Sequence, residues 1–457
     1  MIFELLTTTS ALGVSALATY YKKNFSKDGD KILKIAENCG LYKKDDRLRL
    51  FRRTYNKKEK YTEYVFKIPL GLELKDFTDK YGKFKDGLNN KSMNVVSLND
   101  FKNLKFDKTI IQQIQDIFNK RIHLVKEITM SYDGMLIMKV FDEGLKEFYP
   151  ISQPIMKKCK PWTIKLGKGL GKEITHNFEE SPHVLVGGAT DMGKSNILNL
   201  IISTLLLNHE DDVEFTLIDL KGGLEFSTYE CIKQTMNFAT NAEESYVALN
   251  NVVVDMEATF QELRRKGKKN VKELESKKRH FVIIDEAAEL SSAGEQDKEE
   301  KALKIECENL IKDIARRGRA SGIRLIYATQ YPTTEIVSSQ VKRNLLTRIS
   351  LAVDTGTAST VILDETGAEE LPLIKGRSIY KRTKKETMQS YFIDNNTIDE
   401  IVSKQPKRKF SKEGVIFDAP FQSQATPERG GYITEFEEVG LSDNKPNTNI
   451  TQSKKRT

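Results

Sequence analysis

The chain has 457 residues, with 73 Lys+Arg against 65 Asp+Glu and a formal charge of +8. That length allows two or three domains, and so mild a basic excess is compatible with nucleic acid or an anionic membrane face without selecting either. Four scattered cysteines (Cys39, Cys159, Cys231, Cys307) show no C-x-x-C spacing and no histidine pair stands in H-E-x-x-H. Neither a disulfide framework, a zinc site nor a metalloprotease centre follows, and a reducing cytoplasm is the natural home.

Residues 1–23 come first. Ile2 to Tyr21 is mostly apolar or small, broken only by Glu4 and the run Thr7 to Ser10, and closed by Tyr20, Tyr21, Lys22 and Lys23. About 20 such residues span a bilayer, and tyrosines followed by lysines resemble an interfacial belt with a positive-inside flank. The preferred reading is a single-pass anchor in the cell membrane with the rest of the chain cytoplasmic. An interfacial helix and a signal peptide ending near Ala16-Leu17-Ala18 compete with it. Residues 24–53 form a charged juxtamembrane segment in which Lys31 to Ala36 reads as a short helix. Its basic residues lie near the expected membrane, facing either lipid head groups or solvent.

Residues 54–161 read as a small α+β domain. Tyr61 to Ile68 alternates as a strand, Ile110 to Phe118 has helical spacing, and Ile122 to Ile128 and Met135 to Phe141 read as strands. No catalytic constellation occurs there. Residues 162–400 switch to strands alternating with helix-length stretches. Apolar runs at His183–Gly187, Val213–Asp219, Phe281–Asp285, Ile323–Ala328 and Thr347–Val353 predict a mainly parallel sheet covered on both faces, an α/β fold. Ser378–Tyr380 and Met388–Ile393 are expected to form an edge hairpin. Residues 401–457 lose periodicity and read as a flexible polar tail.

The chemistry lies in the fourth segment. Gly188-Ala189-Thr190-Asp191-Met192-Gly193-Lys194-Ser195 fits G-x-x-x-x-G-K-[ST] between an apolar strand and a helix, the context a phosphate loop requires. Backbone N–H groups and the helix dipole would cradle the phosphates of ATP or GTP. Lys194 would reach the β- and γ-phosphates, and the Ser195 hydroxyl would hold Mg2+. Phe281 to Ile284 then delivers Asp285 to the metal shell and Glu286 to the attacking water. Gln330, at the tip of another strand, is placed to contact the γ-phosphate or that water, or else to cap the loop before Pro332. Arg316, Arg317 and Arg319 cluster before the same strand, where one could serve a neighbouring subunit's site as an arginine finger. Arg264 to Lys269 and Lys277 to Arg279 are candidate phosphate contacts for nucleic acid, with a solvated charged hairpin the stronger reading.

Seven blocks occur in the order seen in FtsK/SpoIIIE-type DNA-translocating ATPases, over about residues 164–393. They are Pro182–Thr190, Ile218–Glu225, Asp285–Leu290, Gly318–Leu325, Ala328–Pro332, Thr347–Ile349 and Ile362–Glu369. The resemblance implies a RecA-like fold, ATP as the nucleotide, a homo-hexameric ring around DNA, and Arg319 as the finger with Arg348 second. Tyr331 stands where the family usually has arginine, Leu220 where it has proline, and Asp191-Met192 where it has small residues. With one expected span and no terminal DNA-reading domain, the chain looks most like the membrane-anchored coupling ATPases of Gram-positive conjugative plasmids and integrative elements. A relaxase and secretion-channel proteins would then be its partners. A chromosome-segregation translocase is the alternative, and an ATPase of a specialised protein-secretion system is the alternative of another class.

Overall fold

The structure is a computed structural model and describes residues 27–89, 126–157, 159–274 and 277–408. The expected anchor, the helix at 110–118 and most of the tail lie outside these residues. Among the described residues no helix is long and apolar enough to cross a membrane.

A small domain comes first. Helix α1 (Lys27–Asn38) places Ile32 and Ala36, one turn apart, on one buried face. That face packs with helix α2 (Tyr81–Asn89) against a four-stranded antiparallel sheet. The strands are β1 (Arg49–Asn56), β2 (Tyr61–Lys67), β3 (Glu127–Tyr132) and β4 (Leu136–Phe141), in the order β1-β2-β4-β3. Tyr64 and Phe66 of β2 alternate inward toward the helices, as the period of two requires. The described part of the charged segment 24–53 belongs to this domain, because α1 and Leu48 contribute to its core. Of the strand expected at Ile122–Ile128, residues 122–125 lie outside the described residues; β3 includes its last two residues, and its register with β4 is set by the turn Asp133-Gly134.

The larger domain is built on one ten-stranded sheet. Its strands are β5 (Thr163–Gly169), β6 (Glu173–Asn177), β7 (Val184–Gly187), β8 (Val213–Ile218), β9 (Thr235–Ala239), β10 (Arg279–Ile284), β11 (Ile323–Thr329), β12 (Thr347–Leu351), β13 (Arg377–Lys381) and β14 (Lys385–Ser390). They lie in the order β9-β8-β10-β11-β7-β12-β13-β14-β5-β6. From β9 to β12 every pairing is parallel, and from β12 to β6 every pairing is antiparallel. The sheet is thus mixed, and the hairpin β13–β14 is not an edge, because β5 and β6 extend the sheet beyond it. Gly167 is where the extension joins. A Cβ there would collide with the Gln389 carbonyl and come within 2.8 Å of the Ser390 Cα.

Two apolar cores cover the two faces of the sheet. Helices α3 (Lys194–His209) and α7 (Asn395–Ser403) pack on one face; α4 (Ala242–Arg265), α5 (Lys298–Ser321) and α6 (Gly356–Leu363) pack on the other. Each fully buried Leu or Ile here contributes about 1.5–3 kcal/mol. Residues 401–408, assigned from the sequence to the tail, complete α7 and run beside Ile232, with the Arg408 N–H donating to the Cys231 carbonyl at 2.9 Å.

The end of the sheet where β10 and β11 begin carries a buried ion network. Glu179 accepts from Arg279 at 2.8 Å and from Arg324 at 2.8 Å, and Arg324 is almost wholly buried. Burial alone would raise the Glu179 pKa, but bonds from these two arginines outweigh it and hold the carboxyl down at about 2. Arg279 is consequently sealed in this network and withdrawn from the basic cluster that the sequence offered to nucleic acid.

Candidate nucleotide site

The site forms where β7, β8, β10 and β11 end side by side. At the tip of β7 the chain enters the loop Gly188 to Gly193, with Asp191 at φ +64° and Gly193 at φ +102° before α3 begins at Lys194. A non-glycine residue in the left-handed region is uncommon, and here it belongs to the tight turn that leads into α3. Gly188 is required by packing as well. A Cβ would meet the Cβ of Leu351 at 2.5 Å.

The β7–β11–β10 pairing brings the acid pair under this loop. The Lys194 ammonium is buried and lies 2.8 Å from Asp285 Oδ1, in contact with the Asp285 carbonyl, and 3.8 Å from Glu286 Oε2. A buried cation needs such partners, and an anionic ligand is the other class of group that can hold it. Glu286 is wholly buried. It accepts from the Thr329 hydroxyl at 2.7 Å and from the Gln330 N–H at 3.0 Å, and Lys221 lies 3.3 Å away. The Gln330 amide oxygen accepts from the Thr190 hydroxyl at 3.0 Å, which ties the tip of β11 to the phosphate loop. Lys194, Asp285, Glu286 and Gln330, separate in sequence, therefore share one site.

Two acids that sequence reasoning left without a role shape the same site. Asp219, buried at the end of β8, accepts from the N–H groups of Lys221, Glu225 and Phe226 at 3.2, 2.7 and 3.1 Å. These bonds fold the loop after β8 and carry Glu225 back onto α3. There Glu225 bonds the Asn199 amide at 2.8 Å and the Ser195 hydroxyl. Burial raises the Glu225 pKa, the bond to Ser195 opposes that rise, and the negative charge of Asp285 adds to it. The hydroxyl and carboxylates of Ser195, Asp285 and Glu225 are hard oxygen donors, the set that a hard divalent cation takes.

The arginines divide clearly. Arg316 and Arg317 both pair with Asp313, Arg317 pairs also with Glu257, and Arg348 is buried against Asp364 and the Leu345 carbonyl. Arg319 is exposed and forms no ion pair among the described residues. It lies before the first residue of β11, whereas Gln330 follows the last, so Arg319 stands at the far end of the strand from its own phosphate loop.

A phosphate loop before a helix, with an acid pair at the tip of a nearby parallel strand, defines a P-loop ATPase, a class that uses ATP with a divalent metal. Residues 151–281 match the model of the FtsK/SpoIIIE family. The chain is 32% identical over 260 residues to the DNA translocase FtsK of Streptococcus agalactiae, a match covering 52% of this chain and 30% of that protein. It is 29% identical over 320 residues to the DNA translocase FtsK of Staphylococcus epidermidis, covering 64% of this chain and 39% of that one. The chain thus spans between three and four tenths of the length of these relatives. In fold it is similar to the conjugation coupling protein TcpA of pCW3, in its monomer form with ATPγS. The TM-score is 0.55 at 22% identity, and the match covers 82% of this chain and 99% of that one. The chain thus carries a P-loop ATPase domain, part of which, residues 151–281, matches the FtsK/SpoIIIE family model.

Proposed function

We propose that this protein is an ATP-driven DNA translocase that works at the cell membrane as a coupling protein in conjugative transfer. The observation that carries the reading is the buried triad Lys194, Asp285 and Glu286 beneath the phosphate loop of an FtsK/SpoIIIE-family domain. Lys194 would leave the acid pair for the β- and γ-phosphates. Ser195 and Asp285 would hold Mg2+, Glu286 would accept the proton of the attacking water, and Gln330 would report on the γ-phosphate. With Arg319 at the far end of β11, a finger would have to come from a neighbouring copy, in keeping with a homo-hexameric ring.

DNA as cargo is supported by the relatives named DNA translocases. Conjugation is supported by the near-complete coverage of a coupling protein of that process. Chromosome segregation is the second reading, since relatives named DNA translocases support movement of DNA under either reading. A relaxase and secretion-channel proteins are the partners that the conjugative reading requires. The test compares ATPase rates of the intact protein and of Lys194→Ala, with and without single- and double-stranded DNA. A DNA-stimulated rate lost in the variant is expected. A rate indifferent to DNA but raised by a secreted protein would turn the reading to protein secretion. Loss of plasmid transfer with normal chromosome partition in cells carrying Lys194→Ala separates conjugation from segregation. The single-pass anchor requires that deleting residues 1–23 release the protein from sedimented membranes.

A further inference from the structure

Asp191 is an odd residue for a loop that receives phosphate. Its carboxylate sits two residues before Gly193, in the loop that would receive the nucleotide's phosphates, so an unopposed charge there would repel the ligand. The structure supplies an opposing charge from far along the chain. Lys375 Nζ lies 2.6 Å from Asp191 Oδ1, across 184 residues of sequence.

The contact is built by backbone as well as by two side chains. The Gly376 N–H donates to the Met192 carbonyl at 2.7 Å, so the segment before β13 lies against the phosphate loop itself. A Cβ on Gly193 would stand 3.1 Å from that same Gly376 nitrogen, and Gly376 has φ +84°. A Cβ on Gly193 would crowd this contact, and both glycines hold positive φ values that other residues rarely adopt. From behind, the buried Gln389 of β14 donates to the Lys375 carbonyl at 2.7 Å, and the Ser390 N–H donates to the Gly376 carbonyl at 2.9 Å. The antiparallel extension of the sheet thus holds Lys375 at the mouth of the nucleotide site.

We propose that Lys375 is a positioning residue of the nucleotide site, supplied by the antiparallel half of the sheet to cancel the charge of Asp191 in the phosphate loop. The inference rests on the nucleotide-site reading above and goes beyond it. Both side chains are largely exposed, at 68% and 71%, so the pair adds little to stability. Its effect falls on the incoming phosphates, whose charge Asp191 would otherwise oppose.

The test measures binding of ATPγS with Mg2+ by titration calorimetry, using the full chain and the variants Lys375→Ala, Lys375→Arg, Asp191→Ala and Asp191→Ala/Lys375→Ala. Lys375→Ala is expected to raise the Kd about 3- to 10-fold at low salt, with the difference shrinking at high salt. Lys375→Arg is expected to bind like the parent. In the Asp191→Ala background, removing Lys375 is expected to change the Kd by less than about 2-fold, the signature of a coupled pair. Equal losses in both backgrounds, or no loss in either, overturn the proposal. A parent chain that binds no ATPγS overturns instead the reading of the site. Unchanged melting temperatures for all variants separate binding effects from misfolding.

Discussion

Glu286 is wholly buried, and its carboxylate is held in place by the Thr329 hydroxyl, the Gln330 N–H and Lys221. Glu286→Gln keeps an acceptor for the first two of these bonds and removes the base. It is expected to lower kcat for ATP about 10²- to 10⁴-fold while leaving the Kd for ATPγS within a few-fold of the parent, measured by steady-state rates and calorimetry. Lys194→Ala should do the reverse and abolish measurable binding, because the only buried cation of the loop is lost among the described residues. If Glu286→Gln hydrolyses ATP at the parent rate, the water-activating role belongs to another group. At this scale the sequence was informative wherever chemistry is local. The phosphate loop and the pair Asp285-Glu286 each declare themselves within ten residues. Glu225 did not, since its bonds to Ser195 and Asn199 depend on a loop folded around Asp219.

Among the elements, the antiparallel half of the large sheet is the part that alternation of strands and helices failed to foretell. Thr163 to Asn177 is rich in Gly and Lys, and its inward residues Ile164, Leu166 and Ile174 are too few to stand out as strands. Without those strands the hairpin β13–β14 had to look like an edge. Gly167 makes their attachment testable. Gly167→Ala would drive a Cβ into the backbone of β14 and is expected to destabilise the fold by about 1–3 kcal/mol, read as a lower urea midpoint. An unchanged midpoint would mean that β5 does not seat on β14. The same strain should pass through Ser390 and Gly376 to the phosphate loop, so ATPγS affinity is expected to fall along with stability.

For the whole molecule, three buried histidines contribute to the response to acid. Burial holds His176 and His183 at about 3 and His280 at about 4, against an ordinary value of 6.5. His183 uses Nδ1 to accept the Leu325 N–H at 2.9 Å, and the positive charges of Arg324 and Arg319 further oppose its protonation. A histidine depressed in the folded state takes up its proton only on unfolding between these two limits. The stability it contributes is present above about pH 6.5 and is lost as pH falls toward its folded value. Unfolding in urea is therefore expected to shift to lower denaturant between pH 7 and pH 5, before most carboxylates titrate. A midpoint unchanged or raised at pH 5 would show that these histidines are reached by water.

By itself the sequence determined the identity of the chemistry and the central parallel sheet, because each signal is carried by neighbours in the chain. Apolar runs bury strands, a glycine-rich turn precedes a helix, and acids stand at a strand tip. Only the tertiary structure decided which distant groups meet those signals. It placed Lys194 on Asp285, Glu225 on Ser195 and Lys375 on Asp191, and it buried Arg279 and Arg348 in ion pairs with Glu179 and Asp364. Charges at long sequence separation have no local pattern. Their partners are fixed by strand order and register, which arise from packing the two faces of one sheet.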